Sequence, residues 1–204
     1  MKRIVIDPGH GDTDSGAVSM DGLRESDVVL SIAHKVRNIL ANFFEVFMTR
    51  DDDTFVSLSY RSNYANQLGD VAAFISIHCN SASNTSARGW EIFTSVGDTG
   101  ADPLAASIGK QYASRFQDLP ARGLKEANFS VLQHTNMSAV LVECCFLSNA
   151  DEAHWISSDE IQQQHAEAIA DGIINHLGII EDLGNDSELT LEQRVTRIET
   201  HLDL

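Results

Sequence analysis

Four ionisable side chains stand where an α/β protein gathers its chemistry: His10 in IDPGHG, Glu25 in GLRES, His78 in SIHCN and Glu143 in LVE. His10, His78 and Glu143 lie at or near the carboxyl ends of short apolar runs that read as strands, the edge at which open α/β sheets build active sites. Glu25 lies beyond the Gly-, Asp- and Ser-rich stretch from His10 to Gly22, at the mouth of a helical pattern. Two imidazoles and a carboxylate form a donor set suited to a catalytic zinc, which takes three protein ligands and leaves a fourth position for water. Such a site also needs a carboxyl group free of the metal to move protons. Glu143, ending an apolar run, is placed to be partly desolvated and to have a raised pKa. Spacing alone leaves the bland readings standing. A strand-terminal His is often a hydrogen-bonded structural residue, and a Glu before a helix suits the helix dipole.

Other polar residues are weaker candidates. Asn80, two positions past His78, reads either as a group orienting substrate or the metal's surroundings, or as a turn former. His134, shortly before the Glu143 strand, reads as a cleft-lining oxyanion donor or as a surface residue. Arg61 fits a tie between helix and loop better than a substrate contact. Asp51, Asp52 and Asp53 lack the pattern of a calcium loop and read as a solvated turn. The cysteines Cys79, Cys144 and Cys145 are odd in number and have no CxxC spacing, so buried free thiols are expected rather than a disulfide framework or a thiolate metal site.

The elements that must position these groups follow from periodicity. Ile4–Ile6 reads as a buried strand. Val29, Ile32, Ala33, Val36, Ile39 and Leu40 share one face of a helix that begins near Ser26. Further strands are expected over Glu45–Thr49, Val71–His78, Gly89–Ser95 and Ser138–Glu143. Helices are expected over Leu58–Leu68, from Asp102-Pro103 to about Phe116, and over Ile161–Leu177. This alternation predicts a single α/β domain with a mixed, mostly parallel central sheet flanked by helices. Its span is 1–180. Residues 181–204 read as an acidic linker and a short amphipathic helix, in which Thr190 and Gln193 have capping-box spacing and Leu191, Val195, Ile198 and Leu202 form the apolar stripe. Two heptads are marginal alone, so that helix must pack on its own domain, on a second copy as a homodimer, or on another partner.

Composition narrows the function. Among 204 residues the formal net charge is −16, which disfavours nucleic-acid binding and loose adhesion to anionic surfaces. No apolar run approaches the roughly 20 residues of a membrane span, so no membrane insertion is expected. Met1-Lys2-Arg3 leads straight into a strand rather than a secretory signal, which points to a chain that is cytoplasmic as synthesised.

Several ordered stretches resemble the zinc-dependent N-acetylmuramoyl-L-alanine amidases of the type 3 family. They are IVIDPGHG at 4–11, GLRESDVVL at 22–30, TRDDD at 49–53, LSYRSNYAN at 58–66, FISIHCN at 74–80, RGWEIF at 88–93 and AVLVECCFLSN at 139–149. The likeness runs from about Lys2 to Leu177. It implies a phosphorylase/hydrolase-like fold and one zinc ion (Zn2+) per chain on His10, Glu25 and His78, with Glu143 as the catalytic carboxylate. It further implies peptidoglycan as substrate, cut at the amide between N-acetylmuramic acid and L-alanine, as by a phage endolysin or a bacterial autolysin acting on the wall after release or export. The rival is a zinc endo- or carboxypeptidase acting on stem peptides. Asp12 stands where such enzymes usually have Gly, Ser138 where they often have Pro, and Cys144-Cys145 where a small residue and Gly are usual. Cys145 is therefore expected to crowd the backbone beside Glu143. The stretch from Arg88 to Leu124 is too short for an inhibitory helix insertion.

Overall fold

The computed structural model describes residues 1–97 and 99–178. In chain order the elements are β1 (Arg3–Pro8), α1 (Glu25–Leu40), β2 (Glu45–Met48), α2 (Leu58–Gln67), β3 (Val71–Asn80), β4 (Trp90–Thr94), α3 (Asp102–Arg115), β5 (Ala121–Glu126), α4 (Ser130–Gln133), β6 (Ala139–Phe146), α5 (Ala150–Ile156) and α6 (Asp159–His176). The six strands form one sheet in the order β2-β1-β3-β6-β4-β5. All neighbours are parallel except β4 and β6, which pair antiparallel. This is the mixed, mostly parallel α/β sheet that the alternating pattern predicts.

Because successive strand side chains point to opposite faces, the sheet divides cleanly. Ile4 and Ile6, Ile75 and Ile77, Val140 and Val142, and Ile92 face the larger core, together with Val29, Ile32 and Val36 of α1, Ile108 and Tyr112 of α3, and Ile169 and Ile173 of α6. These side chains are fully buried, and each aliphatic one contributes about 1.5–3 kcal/mol relative to exposure. Gly172 permits the close approach of α6 to α3, since a β-carbon there would lie 2.5 Å from the Ile108 backbone. The opposite face carries Val5, Phe74, Ala139 and Leu141, covered by Ala65 of α2 and by Val131 and Leu132 of α4. Continuing along those same strands, this face turns polar at Asp7, Ser76, His78 and Glu143. The polar part holds the site.

Three elements were not predicted: β5, α4 and α5. ARGLKE carries three charges and a glycine, so its polarity hides an edge strand with side chains largely exposed. The helices α4 and α5 are four and seven residues long, too short to display a period. Strand β6 also runs on to Phe146 instead of ending at Glu143. It does so through a bulge, with His78 paired to Glu143 and Asn80 to Phe146, so that Cys79 alone faces Cys144 and Cys145. The expected helix over Leu191–Leu202, and the homodimer it suggested, lie outside the described residues. Among the described residues no helix is long and apolar enough to cross a membrane.

Candidate active site

His10 sits just past β1 with a φ of 60°, a left-handed conformation that costs a non-glycine residue energy and persists only where the surroundings enforce it. Two buried arginines do so. Arg50 donates to the carbonyls of Pro8 (3.1 Å), Gly9 (2.7 Å) and Ser26 (2.9 Å). Arg61 donates to those of Pro8 (2.6 Å) and His10 (2.8 Å), and pairs with Asp7 at 2.8 Å. Asp7 also accepts from Thr49 and Ser76, so this buried carboxylate is fully satisfied. Arg61 thus ties helix to loop, as its sequence context suggested. Asp12, in the place of a usual glycine, adopts φ 49°, a region Asp tolerates better than most residues.

Glu25 begins α1 and is buried. Its Oε2 accepts from the Ala17 amide at 2.8 Å and its Oε1 from the Cys79 amide at 3.0 Å. The same Oε1 lies 3.1 Å from His10 Nε2 and 2.9 Å from His78 Nδ1. Burial would push the Glu25 carboxyl up, but the hydrogen bonds and charges of the two imidazoles outweigh it and hold its pKa well below the usual carboxylate range. Burial likewise pulls His10 down, and its contacts with Glu25 and Asp14 reverse this, leaving it raised. Asp14 binds His10 Nδ1 at 2.9 Å, which turns Nε2 toward Glu25.

One ligand atom from each of His10, Glu25 and His78 falls within 4.8 Å of the others, and no other such group of three occurs among the described residues. Bonds of about 2.0–2.1 Å to a tetrahedral ion place donor atoms a little over 3 Å apart, so the observed contacts suit zinc. Two glycines make room. A β-carbon on Gly9 would lie 2.2 Å from the His78 ring, and one on Gly16 would lie 2.5 Å from the Glu25 carboxylate.

Glu143 stands beside this trio, cross-strand from His78. Its Oε2 is sealed from solvent and has no hydrogen-bond partner among the described residues. Burial raises its pKa from an ordinary 4.5 to about 7; Glu25 and Glu91 add to the rise, while His78 and His10 oppose it. A carboxyl that releases its proton near neutrality suits proton transfer.

The N-acetylmuramoyl-L-alanine amidase profile matches residues 4–175. The chain belongs to the N-acetylmuramoyl-L-alanine amidase family. It is 36% identical over 176 residues to the amidase CwlM of Bacillus licheniformis, covering 85% of this chain and 68% of that one. It is 34% identical over 197 residues to the endolysin of Bacillus phage SPP1, covering 91% and 70%. The catalytic domain of the amidase CwlV from Bacillus (Paenibacillus) polymyxa superimposes with a TM-score of 0.83 at 37% identity, covering 88% of this chain and 99% of that domain. This amidase is therefore a peptidoglycan hydrolase of the α/β class, and the peptidase alternative is not favoured.

The other expected site residues fall differently in this amidase. Asn80 lies at the end of β3, where its side chain accepts from the Ser81 amide at 2.7 Å, a turn-forming contact. His134 is not brought to the cleft. Its carbonyl accepts from Asn66 at the far end of α2, beside the start of β3, and its ring folds back on Ser130 at 2.8 Å. From Val71 to His78 a strand rises about 23 Å, so His134 belongs to the opposite edge of the sheet. The expected crowding by Cys145 is also absent. The bulge turns the thiols of Cys144 and Cys145 into the larger core, where both are fully buried and within bonding reach of Cys79. Between Arg88 and Leu124 the one helix of the described residues, α3, packs on α6 and not over the site.

Sequence reasoning passed over Arg50, Asp14, Gly9 and Gly16, whose roles depend on folded distances. It also passed over Glu91, which is buried, pairs with Glu143 across β4 and β6, and binds Arg122 and Lys125. The alternation Glu91, Phe93 in WEIF was the available signal, yet its meaning needed β5 in place.

Proposed function

We propose that this chain cleaves the amide between N-acetylmuramic acid and L-alanine using one zinc ion held by His10 Nε2, Glu25 and His78 Nδ1, with Glu143 moving the proton. The observation that supports this reading most directly is the convergence of those donor atoms beside a sealed, unpartnered Glu143 oxygen. A zinc ion bound there supplies Lewis acidity, polarising the scissile carbonyl and acidifying water. Asp14, bound to His10 Nδ1, fixes the ring so that Nε2 faces the donors, and raises its basicity. Glu143 accepts a proton from the attacking water and passes it to the departing alanine nitrogen. Its carboxyl, poised near 7, is basic enough to take the proton and acidic enough to return it. Arg50 and Arg61 hold the His10 backbone in its strained conformation and so keep the ligand trio assembled.

Mass spectrometry of digested peptidoglycan, paired with a zinc count per chain, tests the reading. Stem peptides with a free L-alanine amino terminus, peptide-free glycan and one zinc per chain are expected. Shortened stems still attached to glycan would refute the assignment of the bond.

A further inference from the structure

Across the polar face of the sheet, four strands present ionisable groups in a row at one level: His78 on β3, Glu143 on β6, Glu91 on β4, then Arg122 and Lys125 on β5. Register puts His78 beside Glu143 and Glu143 beside Glu91, and Glu91 pairs with Gly123 on β5. The Glu91 carboxylate is buried, with 4% of its side chain accessible, and it is bound by both Arg122 and Lys125. The two cations keep 39% and 37% of their side-chain surface. They are further fixed over aromatic rings, Arg122 at 4.9 Å from the Phe146 centroid and Lys125 at 5.8 Å from that of Phe93. Two cations share the single Glu91 carboxylate in a chain whose formal charge is −16, and the next acidic group in the row is the Glu143 carboxyl. The accessible donors of the two cations open onto the face that carries Glu143.

The opposite flank has the other sign. Beside His10 stand Asp12, Asp14 and Asp53, with Asp53 accepting from the Asp12 amide at 2.8 Å and pairing with Arg24 at 3.3 Å, so that three carboxylates face one arginine there. Nearby on that flank Phe55 and Leu58 are exposed at 46% and 59%. An anionic group is thus drawn to the β5 side and repelled from the β1 side. In the substrate named above, the N-acetylated sugars carry no ionised group once the lactyl carboxyl is tied up in the amide. The ionised carboxylates lie on the peptide, beginning with the α-carboxyl of the γ-linked glutamate that follows L-alanine. Strands lie about 4.8 Å apart, so β5 is roughly 10 Å from β6. At about 3.5 Å per residue, the second residue's carboxylate lies roughly 7 Å from the scissile nitrogen, and the long Arg and Lys side chains reach back by more than the difference.

We infer that Arg122 and Lys125, seated on Glu91, form a carboxylate subsite that recognises the stem peptide at its second residue and sets the direction in which the substrate lies. This rests on the amidase reading. Glu91 is the anchor, and the two cations are the specificity-determining groups. Charge-assisted contacts distinguish a carboxylate from the isosteric carboxamide, which is neutral.

The zinc-loaded full chain is assayed on two synthetic N-acetylmuramoyl-L-alanyl-γ-D-glutamyl peptides that differ only in a free or an amidated glutamyl α-carboxyl. The free acid should be favoured in kcat/KM by roughly tenfold or more, mainly through KM. In the Arg122→Gln/Lys125→Gln double variant the ratio should fall toward one. Because the ratio is read, any general loss of activity from unpairing Glu91 cancels. Arg122→Lys should retain most of the preference, and Lys125→Gln alone, which leaves Arg122 on Glu91, supplies a partial loss should the double variant fold poorly. Equal efficiency on the two peptides in the unaltered chain, or an unchanged ratio in the variants, overturns the subsite. Product masses showing that neither peptide is split at the muramoyl–alanine amide would instead overturn the amidase reading itself.

Discussion

Asp14 holds His10 through Nδ1, and that one contact decides which ring nitrogen faces Glu25. Replacing it by Asn keeps the size and removes the charge, so Asp14→Asn is expected to lower zinc affinity by about 10–100-fold, measurable by competition with a chelator. Glu143→Gln should retain zinc and lose about 10²–10⁴ in hydrolysis rate. An unchanged lytic rate with zinc bound would remove Glu143 from the mechanism. The raised Glu143 pKa has a thermodynamic side as well. A carboxyl that binds its proton more tightly when folded stabilises the fold fully below its ordinary 4.5 and loses that contribution as pH climbs to about 7. The metal-free protein should therefore lose at most about 3 kcal/mol of stability across that window. Glu143→Gln should flatten that slope in denaturant titrations; a variant with the same slope would show that Glu143 titrates normally. Glu25 works in the other direction, since its stabilisation is present above 4.5 and fades as pH falls below it. The proposed ligands stood out by residue type in IDPGHG, GLRES and SIHCN, but spacing left structural readings open, and only the ordered motifs shared with the amidases joined them into one set. Gly9, Gly16 and Asp14 did not stand out, because a close approach or a ring orientation exists only after folding.

Element boundaries followed the hydrophobic period wherever one face of an element meets a core. Helix α1 shows this most plainly, with Val29, Ile32, Ala33 and Val36 all fully buried. Strand β5 escaped because it is an edge strand with side chains in solvent, and it carries the cations next to Glu91. The bulge in β6 escaped too, since an extra residue leaves no mark in the alternation of ECCF. That bulge turns both Cys144 and Cys145 into the larger core, where strict alternation would have set Cys145 on the face of Glu143. At the same scale, the Asp7–Arg61 pair links β1 to α2 in a buried setting. Arg61→Met removes one partner and leaves a buried carboxylate uncompensated, so a loss of about 3–5 kcal/mol in unfolding free energy is expected. If calorimetry shows the variant within 1 kcal/mol of the parent, roughly the noise of such a change, the pair is not what anchors the His10 loop.

For the whole molecule, charge and tail matter most. A formal charge of −16 opposes approach to an anionic wall, and that repulsion is long-range and screened by salt. Turnover of intact sacculi should thus rise as ionic strength increases from low values, whereas turnover of a neutral soluble muramoyl peptide should not; parallel salt series on the two substrates check this. Sedimentation of the full chain against one ending at Gly184 tests pairing through residues 181–204, and equal monomer masses would end that idea. The buried thiols have a further use. Cys79, Cys144 and Cys145 are almost completely enclosed and all have raised pKa values: Cys144 pulls Cys79 down but Cys145 and burial outweigh it, Cys79 and burial raise Cys144, and Cys79 pulls Cys145 down but burial and nearby acidic groups outweigh it. None can meet an alkylating reagent as thiolate until β3 and β6 separate. Their labelling is therefore a clock for the opening of the strands that carry His78 and Glu143, and loading the site with zinc should slow that clock without touching a single sulfur.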